Sequence, residues 1–293
     1  MATEVQREQI LTEAIGEISH IATLPEITLK IIELVEDPSS TAQDLHKLIS
    51  CDPALCSRVL KVVNSSFYGL PGQIASINRA IVMLGLNAVK NIAIAASLAK
   101  LFRGGQLTPF FAARDLWDHS IASAAATKLL ADKLGYGLTD EAFLAGLIHD
   151  IGYMVEMQYD RNKMIDVLDR CRPDADGTPS ADMVEVENEI FGVNHQDFGF
   201  ALCERWKFPK TLSSVTHHHH DPKGAPNEHR TLCNLVYIAD RIATEHAEGF
   251  GMDIRSIEYD KGVMEALNLS REKLDEIREE FPAALESVAD LIG

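Results

Sequence analysis

Apolar residues recur at helical spacing along almost the whole chain. After Pro25, residues Ile27, Ile31, Leu34 and Val35 share one face, and the stretch stops at Asp37-Pro38 because proline disfavours helix in the residue before it. Ser40 or Thr41 then caps a second helix through Leu45, Leu48 and Ile49. Asp52-Pro53 opens a third, with Asp52 at the cap and Pro53 in the first turn, carrying Leu55, Val59, Leu60 and Val63. Tyr68-Gly69 and Pro71-Gly72 mark a turn region, and a further helix runs from Ser76 to Gly85. The apolar stretch Ala80 to Ala99 is interrupted by Asn87, Lys90 and Asn91. These are costly in hydrocarbon, so it predicts two buried helices with a break near Gly85 and no membrane span.

Downstream, the pattern predicts helices over 112–134, 140–157, 181–191, 195–207, 209–220 and 230–247, with loops over 171–180 and 221–227. The tail over 270–292 reads as a charged helix broken near Pro282, with Leu274, Ile277 and Phe281 on one side. No stretch alternates with period two for long enough to make a sheet, so the expected fold is all-α. Gly104-Gly105, within 103–109, marks the best boundary. The expected organisation is an N-terminal extension (1–14), an N-terminal helical subdomain (15–103), a second helical subdomain (109–250) and a helical tail (251–293). That tail packs either on its own chain or on another.

With 293 residues, 46% hydrophobic and 24% charged, the chain can bury one large or two modest cores. Five cysteines without a C-x-x-C pair, behind a polar and charged N-terminus, predict free thiols in a reducing cytoplasm. The net charge of −17 argues against general nucleic-acid binding. Yet Pro53 to Arg114 contains no acid, and Arg58, Lys61, Arg79, Lys90, Lys100, Arg103 and Arg114 lie within it. Either a core segment lacks acids, or Arg58 and Lys61 form a docking face for an acidic partner or a phosphate-bearing ligand.

Chemistry-bearing residues sit in four separated stretches: His119, the pair His149-Asp150, the run His217 to His220, and Asp240. His149 and Asp150 close an apolar stretch from Ala142, where burying them unpaired would be expensive. Ala145, Gly146 and Gly152 leave room for other helices to approach. Each residue alone reads first as a satisfied core or surface group: a structural histidine, an ion-paired aspartate, or a helix cap for His195. Imidazoles and carboxylates in this order also suit a metal pocket between helices.

Several ordered segments carry a resemblance. Leu24-Pro25-Glu26, Asp52-Pro53-Ala54-Leu55, Leu60 to Tyr68-Gly69, Trp117-Asp118-His119-Ser120, Ala145 to Gly152, His219-His220-Asp221-Pro222 and Ala239-Asp240-Arg241 together resemble the HDOD family. That family is a branch of the HD-domain superfamily of metal-dependent phosphohydrolases, and the likeness spans about Ile15 to Ala247. It implies an all-α HD-like fold and a bacterial signalling or regulatory role through a protein partner or a phosphate-bearing small molecule. By the wider HD and HD-GYP pattern, His119, His149, Asp150 and Asp240 match the ligands of a primary metal. His195, His219 and His220 match those of a second, with Asp150 bridging, and the register favours His219-His220 over His217-His218. The implied cofactor is one or two transition-metal ions, iron or manganese first, zinc or nickel next. An active metal-dependent phosphohydrolase and a metal-free interaction scaffold are the alternatives, and the oligomeric state is open. Two departures argue against cyclic-dinucleotide hydrolysis. Tyr153 stands where a phosphate-binding lysine is expected, and Asp221-Pro222-Lys223-Gly224 replaces the Gly-Tyr-Pro segment. Tyrosine donates a hydrogen bond to a phosphate but supplies no fixed positive charge.

Overall fold

The computed structural model describes residues 2–18, 26–37, 39–65, 68–99, 101–102, 105–174, 177–246 and 249–292. Leu24-Pro25, Pro38, Lys100, Arg103-Gly104 and Ala247 of the sequence reading lie outside the described residues. The chain folds as α1 (Glu4–Glu17), α2 (Glu26–Glu36), α3 (Ala42–Ser50), α4 (Pro53–Val63), α5 (Ile77–Leu84) and α6 (Leu86–Leu98). A hairpin, β1 (Gln106–Thr108) and β2 (Phe111–Ala112), leads to α7 (Ala113–Leu134), α8 (Thr139–Ile148), α9 (Gly152–Tyr159), α10 (Arg161–Arg170) and α11 (Met183–Ile190). Then come α12 (His195–Arg205), α13 (Lys210–His218), a 3-10 turn (Pro222–Gly224), α14 (Arg230–Glu245), α15 (Lys261–Ala266) and α16 (Arg271–Ile292).

Local chemistry places the helix starts. Thr41 accepts from the Asp44 amide while Asp44 returns to the Thr41 amide, a reciprocal cap for α3. Asp52 accepts from the amides of Ala54 and Leu55 at 2.9 Å each, with Pro53 in the first turn of α4. Gly85, at φ 93°, turns the chain between α5 and α6 in a conformation that side chains disfavour. α6 is buried from Ala88 to Leu98, packed against α2 and α4 on one side and α8 on the other. It thus joins the N-terminal helices to the rest. Lys90 of α6 is itself buried: its ammonium donates to the Leu34 carbonyl at 2.6 Å and to Ser40 at 3.0 Å.

The structure departs from the sequence reading in several places: α1, α10 and α15 form where the pattern predicts no helix, and three further features differ. The apolar run over 140–157 is two helices, separated at His149–Ile151, where the Ile151, Tyr153 and Met154 amides each bond to the carbonyl three residues back. The β1–β2 hairpin is too short to register as an alternating pattern. α16 continues through Pro282 without breaking. A helical proline costs about 3 kcal/mol, and Leu274, Ile277, Phe281 and Val288 bury on the face that packs α16 against α7 and α4. No described helix is long and apolar enough to cross a membrane.

Backbone contact sets the spacing of the central helices. A Cβ on Gly146 would lie 2.7 Å from the Ser123 carbonyl oxygen of α7, and one on Gly152 would lie 1.8 Å from that of His195. These approaches bring α8 onto α7, and α9 onto α12. Gly152→Ala and Gly146→Ala are each expected to destabilise the protein by about 3 kcal/mol or more through overpacking. Gly16→Ala, where nothing lies within 4 Å of the new Cβ, should stabilise by about 0.5–1 kcal/mol. Urea titration of the three variants checks the ranking.

Candidate metal centre

The packed helices bring together side chains that are far apart in sequence. His119 comes from the middle of α7, Asp240 from α14, and His149-Asp150 from the tight turn between α8 and α9. His195 opens α12 behind the Asn194 cap, while His219 and His220 follow the last turn of α13. The donor atoms of His119, His149 and Asp240 lie within 4.8 Å of one another, as do those of His195, His219, His220 and Asp253. Asp150 stands between the two groups. Its Oδ2 lies 3.1 Å from His149 Nε2 and 3.9 Å from His119 Nε2. Its Oδ1 lies 3.3 Å from His219 Nε2 and 3.8 Å from His195 Nε2.

Hydrogen bonds on the far side of each ring determine which nitrogen faces inward with a lone pair. His149 Nδ1 donates to the Gly146 carbonyl at 2.7 Å. His219 Nδ1 faces the Val215 and Thr216 carbonyls at 3.3 and 3.2 Å, at the buried C-terminal end of the α13 ladder. His195 Nδ1 lies 2.8 Å from Glu187 Oε2, the oxygen that also accepts the His195 amide at 3.0 Å. Each ring, when neutral, therefore turns Nε2 toward the centre as an acceptor. His195 Nε2 stands 3.3 Å from His219 Nε2 and 3.1 Å from His220 Nε2. Two such lone pairs cannot bond to each other, so a proton or a cation must stand between them.

The carboxylates make the same demand. Asp150 and Asp240 side chains are fully buried, yet neither Asp150 oxygen, nor Asp240 Oδ2, nor His149 Nε2 has a hydrogen-bond partner among the described residues. Burial opposes charge on both aspartates, but His149 beside Asp150 and His119 beside Asp240 hold both carboxyls well below the usual range. Burial likewise opposes charge on His149 and His119. The fields of Asp150 and Asp240 win at His149, raising it well above the ordinary value, and Asp240, 3.0 Å away, raises His119. Burial and neighbouring His220 push His219 down to about 3. Neutral imidazole and ionised carboxylate are metal-binding forms, and orphaned buried acceptors of these two types fit a transition-metal cation.

The remaining site candidates divide. Tyr153 is fully buried, and its ring stacks on that of His195 at 4.2 Å between centroids. Its hydroxyl has no hydrogen-bond partner among the described residues, and burial, followed by Glu187, raises its pKa well above normal. It backs the centre instead of reaching toward solvent. Half-buried His217 and His218 stand outside both donor groups. Arg58 donates to the Ala96 carbonyl at 3.1 Å, tying α4 to α6, while Lys61 is exposed. Arg58, Lys61 and Lys90 therefore do not form one open basic surface.

Sequence reasoning missed four residues. Glu187 orients His195, and Glu156 is buried with both oxygens unbonded, its pKa raised by burial and then by Glu187. Phe250 packs edge-on against Tyr153 and His119, and Asp253 Oδ2 lies 3.4 Å from His220 Nε2. The only signal for the last two was the turn composition Gly249-Phe250-Gly251-Met252-Asp253. Phe250 also walls a cavity of about 240 Å³ lined by Phe110, Phe111, Pro173, Pro179 and Met252, and thereby separates it from His119.

An α-helical bundle that gathers histidines and aspartates from α7, the α8–α9 turn, α12, α13 and α14 defines an HD-type helical protein. The chain belongs to the HDOD family: the HDOD domain profile matches residues 21–222. Asp240 and Asp253 lie beyond that match. An HDOD domain protein of unknown function from Geobacter sulfurreducens is similar over 97% of this chain and 98% of its own, at 27% identity and a TM-score of 0.76. A Shewanella amazonensis SB2B protein with the provisional name phosphohydrolase shares the fold over 96% of this chain and 98% of its own, at 22% identity and a TM-score of 0.71. An uncharacterized protein of Treponema pallidum (strain Nichols) is 25% identical over 251 residues, 81% of this chain. The chain spans 45% of that relative's length.

The His119–Asp240 and His149–Asp150 pairs contribute a pH dependence to the metal-free protein. Raised imidazole values give stability that is complete below the ordinary 6.5 and lost as pH rises through the folded values. Depressed carboxyl values give stability that is complete above the ordinary 3.8 and lost as pH falls through the folded values. The pairs therefore contribute most between 3.8 and 6.5. Chelator-treated wild type should lose more stability between pH 6 and pH 8 than Asp240→Asn, and NMR titration should find His119 lowered in that variant.

Proposed function

We propose that the chain is a regulatory HDOD module whose buried centre holds two transition-metal ions bridged by Asp150. His119, His149 and Asp240 hold one ion, and His195, His219 and His220 the other. The observation that carries this reading is the placement of Asp150, with each oxygen toward a different cluster of inward-facing nitrogens. Histidine with carboxylate suits iron or manganese first, and zinc or nickel after them. Bound ions of this kind polarise a phosphoryl oxygen and lower the pKa of a bound water.

The surroundings favour binding or sensing over turnover. The donor side chains of His119, His149, Asp150, His195, His219 and Asp240 are fully buried, and Phe250 stands between His119 and the neighbouring cavity. Tyr153, at the position expected for a phosphate-binding lysine, is held in a stack on His195. A phosphate-bearing ligand would reach the donors through that cavity only when Phe250 moves aside. A signalling protein partner is the other candidate for the module's output.

Elemental analysis of untagged protein purified without chelator is expected to find two ions per chain. Asp150→Asn should lose both, and chelation should lower the melting temperature of the wild type far more than that of Asp150→Asn. Metal-loaded protein is expected to turn over no nucleotide or cyclic dinucleotide. Hydrolysis that disappears in His149→Ala would overturn the regulatory reading in favour of a phosphohydrolase, and fewer than one ion per chain would leave only a metal-free scaffold.

A further inference from the structure

We infer that the segment Gly249–Tyr259 is a metal-dependent strap, in which Asp253 supplies a carboxylate to the ion held by His195, His219 and His220. The inference rests on the metal reading above and assigns a role to a residue that lies beyond both the family match and the ligand set implied by resemblance.

The Asp253 side chain is fully buried, and neither of its oxygens has a hydrogen-bond partner among the described residues. An ionised carboxylate so placed is costly unless a cation meets it. Its Oδ2 lies 3.4 Å from His220 Nε2, which is in turn 3.1 Å from His195 Nε2. The four donors of this cluster fall within 4.8 Å of one another, as required by one ion between them. With Asp150 Oδ1, 3.3 Å from His219 Nε2, the second ion would have three imidazoles and two carboxylates around it.

The backbone before Asp253 is shaped for this approach. Gly249 sits at φ 75°, and a Cβ there would lie 2.2 Å from the Asp115 carbonyl oxygen and 2.6 Å from the His119 amide. Only glycine lets the chain press onto α7 one residue from Phe250, whose amide then donates to Asp115 at 3.0 Å. Phe250, Met252 and Ile254 are buried around Asp253. Beyond it, the Arg255 guanidinium donates to the Pro179 carbonyl at 3.3 Å, and Arg241 donates to the Glu258 carbonyl at 3.2 Å. The strap then enters α15 and α16, and α16 packs on α7 and on α4. Occupancy of the second ion site is thus linked through one chain segment to a helix that touches both halves of the fold.

Asp253→Asn keeps the side chain's size and removes its charge. Elemental analysis should find two ions in the wild type and one in Asp253→Asn, with the second restored only at metal concentrations about tenfold or more higher. Retention of the first ion reports that the variant is folded. Hydrogen exchange should slow at the amides of 249–259 when metal is added to chelated wild type, and stay unchanged in Asp253→Asn. Two ions held equally tightly by both proteins would overturn the strap while leaving the dinuclear reading intact. A wild type that binds no ion overturns both.

Discussion

The architecture depends on one electrostatic constraint: acceptors that water would otherwise satisfy are buried facing one another. His149, His195 and His219 each commit their Nδ1 nitrogen to an oxygen behind the ring, which turns Nε2 inward as an acceptor. Asp150 and Asp240 meet them without hydrogen bonds for both oxygens of the one and Oδ2 of the other. Left alone, such a centre would cost several kcal/mol per charge. Protons meet part of the demand, as the raised values of His119 and His149 show. A cation between the clusters meets the same demand with a single positive centre shared by several donors. The chemistry of the site and the stability of the surrounding helices are therefore one problem.

Holding such groups at fixed distances requires a stiff frame. α7 supplies a fully buried small-residue stretch from Ala122 to Ala126, and α8 and α14 pack on this helix. Glu187 fixes His195 from α11, and Arg7 of α1 reaches Asn188, the Gly192 carbonyl and Asp197, at 2.9, 3.2 and 2.5 Å, around the start of α12. The N-terminal helix thus braces the element that presents His195. The loop at 249–253 closes the opposite side with Phe250 over His119 and Tyr153.

Helix periodicity and capping chemistry were strong enough to reveal an all-α chain, a cap at Ser40 or Thr41, the cap at Asp52, and the break at Gly85; the fold uses Thr41. They failed where tertiary contact overrides local pattern. The run over 142–157 is apolar on either side of His149-Asp150, and periodicity offers no reason to interrupt it at His149–Ile151. The interruption comes from the buried polar pair and from the close approach of His195 to Gly152. Pro282 reads as a breaker, yet the apolar face of α16 outweighs its missing amide. In the site, histidines and aspartates within recognisable segments announced themselves by residue type and order. Asp253, Glu187 and Glu156 carried no such signal, because a single acid in a loop or amphipathic helix looks like any solvated acid until its surroundings are known. Lys90 interrupts an apolar stretch in the sequence, and in the fold it is buried and bonded to the end of α2.

The contact at Gly152 carries a mechanical corollary. Where the α9 and α12 backbones meet with no side chain between them, a shift of one helix presses directly on the other, and the two act as one lever. Asp150, just ahead of α9, and His195, at the head of α12, ride on that lever together. A push arriving through α12 therefore shifts the Asp150 carboxylate along with the His195 imidazole, so a disturbance on one side of Asp150 reaches the donors on the other.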